Sequence, residues 1–443
     1  MRTPASPAAE DALATAQPFG DQLAPRPFVK RLLLILPTLA AMGSFISLAP
    51  GSSGTINGYR IVVGLAFMPA IVALLRSPRK GPATRWLALT SVAFATWGVY
   101  SLTWAPSPGL GRRQLIGILL AVMGAWVAIG LTSTNRELVG ALRRGFVFAA
   151  AVLTAIGLWQ FTTGMNLWTL SGQALRFEST MLIGPFVNPN NFAAFLLGCS
   201  GPVISWTLTH RGLPRLVGLA LLISMAFVIL GTTSRAGLIA LLVIMTCVMV
   251  FTMGRAPKLQ VPIAFTIATL ALMGWMLARQ QITSGLSTAF SGNSGQSDSL
   301  RVSLSETAIR YFWESGGIGV GPGGFQEKLA SESSQQVVAT HNTFLQIAAE
   351  YGLPVFIPCM ILILTLMTAT LQRSNASVGV DPDKIELIAG FIAMLVGALV
   401  ASSLIADPSW WLLIGYLVVL TRNRAQPVHP RTRSSVGEAL SLR

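Results

Sequence analysis

Apolar runs recur along the chain at 31–49, 59–75, 86–104, 114–131, 145–163, 184–206, 215–233, 235–253, 260–278, 343–371, 385–405 and 408–421. A helix needs about 20 predominantly apolar residues to cross a hydrocarbon core. The pattern therefore predicts an all-α, polytopic integral membrane protein with about 12 transmembrane helices. The last two runs are separated only by Ala406-Asp407, so they form either a re-entrant pair or a tight hairpin. The first residues, 1–30, are rich in Ala and Pro and lack a charged-then-apolar signal layout, which predicts a disordered cytoplasmic tail and not a cleaved signal. The membrane domain is expected over 31–421 and a second cytoplasmic tail over 422–443. The longest polar segment between apolar runs begins at Arg279 and leads to Gly352. Its part 279–341 is expected to be a large loop outside the membrane.

Composition agrees: 52% of residues are hydrophobic, only 11% are charged, and mean hydropathy is +0.63. Such a chain cannot cover itself with polar surface. The net charge of +15 raises the question of nucleic acid, and its distribution answers it. With the N-terminus cytoplasmic, all basic residues fall on the inner side except Arg60, Arg112, Arg113, Arg176, Arg235, Arg279, Arg301, Arg310 and Lys328. This is the positive-inside asymmetry that orients membrane spans, and no nucleic-acid partner is implied. Cys199, Cys247 and Cys359 lie inside apolar runs without paired spacing and read as small core residues. Neither a metal site nor a cofactor site emerges. The 279–341 loop then faces a periplasm-like compartment without ATP, so chemistry there requires a substrate that arrives activated, such as a diphosphate-linked lipid.

Within that loop, His341 lies in Thr340-His341-Asn342-Thr343 at the mouth of a predicted helix, where Asn342 or Thr340 can cap the free backbone N–H groups. The positive helix end favours a neutral imidazole, as a general base requires; the plainer alternative is an interfacial loop histidine. Residues 299–312 predict an amphipathic helix at the membrane surface. On it Glu306 and Arg310 stand at i and i+4, an ordinary surface pair, which leaves Arg301 the freer candidate for phosphate. The glycine cluster Gly316–Gly324 lacks the Lys-Ser/Thr of a nucleotide loop and predicts a tight turn that lets the backbone approach a ligand or the His341 segment. Arg235, in Thr232-Thr233-Ser234-Arg235-Ala236-Gly237, sits at an outer membrane boundary, against the charge trend. Asn188 and Asn191 flank a proline at the start of a span and serve either as a helix cap or as amide contacts to a polar ligand. Arg112, Arg113 and Arg176 add to an outer basic funnel, and Asp407 is a candidate partner for an outer arginine.

In this order, GPFVNPNNFA, TTSRAGLIAL, the arginine-bearing helix leading into GIGVGPGGF, and THNTFLQIAAEYGLPVF resemble the bacterial O-antigen ligase and polysaccharide polymerase family over roughly residues 180–370. The resemblance implies a GT-C-like, multi-span glycosyltransferase of the bacterial inner membrane with its active site facing the periplasm. It implies transfer of a glycan from an undecaprenyl diphosphate carrier to an acceptor hydroxyl, without a metal. The acceptor is a lipid A core or other terminal acceptor for a ligase, or a carrier-linked repeat for a polymerase. Membrane lipids are the surrounding partners. By motif, His341 would be the base and Arg235, Arg301 and Arg310 the diphosphate ligands. Asn188, Asn191, Asn342 and Arg176 are candidate glycan or carrier contacts. A lipid-linked oligosaccharide transporter or flippase is the alternative of another class. It calls for ionisable residues inside the spans, whereas the polar residues here collect at the outer ends.

Overall fold

A computed structural model describes residues 27–43, 45, 57–77, 81–167, 181–252, 296–332, 340–372, 381–401 and 403–424. Arg176, the apolar run at 260–278, most of the two tails and much of the 279–341 loop lie outside the described residues. The described part contains thirteen helices. They are α1 (Pro27–Met42), α2 (Gly58–Arg76), α3 (Pro82–Ser101), α4 (Pro108–Leu131), α5 (Arg136–Thr163), α6 (Pro189–Thr209) and α7 (Leu213–Gly231). After these come α8 (Arg235–Thr252), α9 (Gln296–Glu314), α10 (Gly324–Glu332), α11 (Thr343–Leu371), α12 (Pro382–Val400) and α13 (Pro408–Arg424). Seven of the described helices, α2, α4, α5, α6, α7, α8 and α11, are long and apolar enough to cross a membrane.

The other expected runs give shorter or more polar helices. The run at 31–49 becomes the 16-residue α1, and that at 408–421 the 17-residue α13. That at 385–405 becomes α12, whose first turns carry Asp383, Lys384 and Glu386. These charges sit inside the bundle because Arg143 of α5 lies 2.5 Å from Asp383 and 2.6 Å from Glu386. Tyr416 also donates to Glu386, and Lys384 donates to the carbonyls of Thr370 and Gln372 at the end of α11. A charge removed from water persists only when so partnered. This cluster also moves one boundary: α5 starts at Arg136, not near 145, because Asn135 caps it and Arg143 has an interior partner.

Contacts define the opposite end of the bundle. Gly237 in the first turn of α8 packs so close to α6 that a Cβ there would stand 3.1 Å from that of Ala193. The end of α12 meets the same turn of α6, where a Cβ on Gly397 would lie 3.3 Å from that of Ala194. Leu404, just beyond α12, donates its N–H to Thr343 Oγ1 at 3.3 Å. Arg235, Asn188, Asn191, Asp407 and His341 therefore share one end, and the Arg143 cluster lies at the other.

At the first end, α11 breaks at Gly352, whose φ is +63°. Pro354 lacks an N–H, so carbonyls one turn earlier lose their helical donor. The glycine cluster replaces it: Val320 and Gly321 donate to the carbonyls of Ala349 and Glu350, both at 2.9 Å, and Leu353 donates back to Gly317 at 2.9 Å. Trp97 of α3 and Trp104, in the turn after it, donate their indole N–H groups to the carbonyls of Ile318 and Gly319 at 3.2 and 2.9 Å. The expected tight turn is thus one that docks on the His341 helix. A Cβ on Gly319 would stand 2.5 Å from the Glu350 carbonyl oxygen.

Candidate active site

The site is assembled from α11, α9 and the glycine segment. Asn342 caps α11, its Oδ1 accepting from Phe344 and Leu345 at 3.0 and 3.1 Å. Thr340 donates to the Asn342 carbonyl at 3.1 Å, which settles the choice of cap. Thr340 and Thr343 are buried on either side. Held between them, His341 takes φ +52°, a left-handed conformation that costs a non-glycine residue about 1–2 kcal/mol and that persists where neighbours over-determine it. The residue is half-buried. Burial, and then the charge of Arg301, hold its imidazole below the ordinary histidine range, so the ring is neutral and able to accept a proton near neutral pH.

Arg301 reaches this place through a small core separate from that of the bundle. Leu304, Ala308 and Tyr311 of α9 pack with Phe325 of α10 and Ala349 of α11. Arg301 flanks that stripe near the start of α9. No carboxylate forms an ion pair with it among the described residues. Arg310 is nine residues on, two and a half helical turns, and so projects from the opposite face. The expected pair with Glu306 does not form. Arg310 instead bonds Glu314 at 3.1 Å and Glu332 at 2.6 Å, while Lys328 bonds Glu314 at 2.5 Å. These hydrogen bonds raise Arg310 above the ordinary guanidinium value and hold Glu314 and Glu332 below the ordinary carboxylate range. α10 supplies the stronger partner, which helical spacing along α9 alone could not reveal. The pairs are exposed, and such pairs add little to stability. Arg310→Ala is accordingly expected to leave the thermal midpoint and the donor affinity nearly unchanged, whereas Arg301→Ala lowers the affinity; ligand-binding titrations on both variants check this.

The remaining candidates divide. Arg235 begins α8 behind the cap Ser234, whose Oγ accepts from Gly237 at 3.1 Å; α8 and α11 both pack on α12. Asn188 caps α6, accepting from Asn190 at 2.8 Å. Asn191 lines an interior cavity with Ser409, Trp410 and Leu404. Arg112 and Arg113 are exposed on the first turns of α4, beside the glycine segment, since a Cβ on Gly111 would meet the Pro322 carbonyl at 2.8 Å. Asp407 does not serve an arginine among the described residues. It caps α13, accepting from Ser409 N and Oγ and from Trp410 N at 2.7, 2.5 and 3.3 Å. The sequence reading passed over Glu350 and Gln114, whose side chains meet at 2.5 Å beneath the site. A glutamate within an otherwise apolar run was the available signal.

No group of three or more metal-ligating side chains occurs among the described residues. Residues 220–360 match a protein-family model described as O-antigen ligase, Wzy_C. The matched stretch contains Arg235, α9, the glycine segment, His341 and the Gly352 break. No curated protein matches the chain. The match to the O-antigen ligase domain supports an O-antigen ligase-like family for this chain.

Proposed function

We propose that the protein transfers a glycan from undecaprenyl diphosphate to an acceptor hydroxyl at the periplasmic face of the bacterial inner membrane. The observation that carries this reading is His341, neutral and half-buried at the α11 mouth with Arg301 beside it, inside the O-antigen ligase match. In the step, the acceptor oxygen bonds to the anomeric carbon while the bond from that carbon to the diphosphate oxygen breaks. His341 takes the hydroxyl proton. The diphosphate departs with the bonding electrons, and Arg301, with Arg235 at the same end of the bundle, neutralises its growing charge. Orientation of the hydroxyl supplies the rest.

The exposed side of α9 supports access from the bilayer. Val302, Ile309 and Trp313 are 58, 46 and 71% exposed and align on one stripe, opposite the buried one. Laid in the membrane interface, this stripe holds Arg301 near lipid-headgroup depth. A carrier diphosphate would meet it there.

The deciding experiment offers purified protein in liposomes an undecaprenyl-diphosphate-linked glycan, with a lipid A-core acceptor or a second carrier-linked repeat. Product on the core identifies a ligase, and a ladder on the carrier identifies a polymerase. Glycan that only changes leaflet would replace this reading with transport. The pH profile gives a separate check. Arg301 disfavours the imidazolium, so Arg301→Ala raises the His341 pKa. The acid limb of transfer, which appears as the imidazole deprotonates, then moves to higher pH. An unmoved limb would place Arg301 outside the site.

A further inference from the structure

We propose that Glu350 is a positioning residue: with Gln114 it anchors the far end of the glycine segment and thereby sets where Arg301 stands relative to His341. The catalytic consequence rests on the transfer reading above, while the geometric claim does not. The Glu350 side chain is fully buried. It accepts from Gln114 Nε2 of α4 at 2.5 Å and from Gln346 Nε2 at 3.4 Å, and it faces the backbone N–H groups of Gly323 and Phe325. Gly323 in turn lies against Gln114, for a Cβ there would stand 3.1 Å from its Oε1.

The two ends of the glycine segment are held differently. Trp97 and Trp104 hold the carbonyls of Ile318 and Gly319. Glu350 faces the other end, at 323–325. Phe325 then meets Tyr311 edge-on with ring centroids 5.7 Å apart, and both belong to the small core that seats α9. A continuous line of contacts therefore runs from Glu350 through Phe325 and Tyr311 to the helix that carries Arg301. Ordinary stabilisation by a buried carboxylate predicts a loss of folding when it is removed. Positioning predicts in addition a change in the surroundings of His341, nine residues away. Removing the carboxylate leaves the Gln114 amide without its acceptor and takes away the charge that the Gly323 and Phe325 N–H groups face, at a cost that drives rearrangement of the segment.

The test follows His341 without requiring turnover. The full chain in lipid nanodiscs is treated with diethyl pyrocarbonate across a pH series, and modification of His341 is quantified by mass spectrometry, with His210 at the other end as reference. In Glu350→Ala the titration midpoint of His341 is expected to rise, because Arg301 has moved away, and transfer to fall about 100-fold. Glu350→Gln, which retains an acceptor oxygen, is expected to restore most of both. Gln114→Ala gives a smaller shift of the same sign and serves if Glu350→Ala does not fold. An unchanged His341 midpoint in the folded variants would overturn the proposal, whatever happens to transfer. A midpoint that shifts as described in a protein that transfers no glycan supports the positioning and removes only the transfer reading.

Discussion

Replacing His341 with alanine is expected to lower glycan transfer by roughly 10²–10⁴-fold, the range that a positioned general base contributes, while donor binding stays largely intact. The diphosphate is already a good leaving group, so the step still needs a proton acceptor for the hydroxyl and a charge partner for the departing oxygen. The variant removes only the first. A complication is the backbone: at φ +52° alanine is more strained than asparagine, which tolerates the left-handed region. His341→Asn therefore keeps the backbone and removes the base. Equal losses in both variants assign the effect to the imidazole. Activity retained by the asparagine variant would assign it to the chain conformation, and normal turnover in both would sink the mechanism. Single-turnover transfer with purified protein, together with donor-binding titration, separates these cases.

The second large effect is expected at Gly352→Ala. A Cβ there would stand 2.3 Å from the Gly317 carbonyl oxygen and 2.4 Å from the Ile318 carbonyl carbon. Both are backbone atoms in a segment pinned by Trp97, Trp104 and α11, so neither can rotate away. With φ +63° and ψ −165° the backbone lies in a region essentially reserved for glycine, which costs alanine on the order of 1–3 kcal/mol, and the overlap adds to it by pushing the glycine segment off the helix. The Ala349 and Glu350 carbonyls then lose their donors. Thermal unfolding in detergent should show a marked fall in midpoint, and transfer should drop with it. Gly164→Ala provides the comparison, since Gly164 has φ +70°, ψ −2° and nothing within 4 Å; it carries the ordinary left-handed cost of about 1–2 kcal/mol without the overlap. If the two variants lost equal stability, docking of the glycine segment would not be what holds the α11 break.

These expectations show where the sequence was legible. Hydrophobic runs located α2, α4, α7, α8 and α11 closely, because a span must be apolar over its whole length and that demand is local. Caps were legible for the same reason: Asn342 and Asn188 act on N–H groups two or three residues away. Partners distant in the chain were not. Arg310 finds Glu332 on another helix instead of Glu306 on its own, and Asp407 turns to its own helix start instead of to an arginine. α5 extends nine residues beyond its apolar run because Arg143 finds Asp383 and Glu386 some 240 positions later.

The sequence by itself determined the all-helical, membrane-embedded class and the polar segment that carries the candidate chemistry, because local composition suffices for these; the family resemblance then named His341, Arg235 and Arg301 as candidates. Only the tertiary structure decided that the glycine cluster splints a broken helix and that Glu350 lies beneath the site. Each depends on which carbonyl, amide or charge a buried group meets across the bundle, and burial makes that partner obligatory without naming it in the neighbouring sequence.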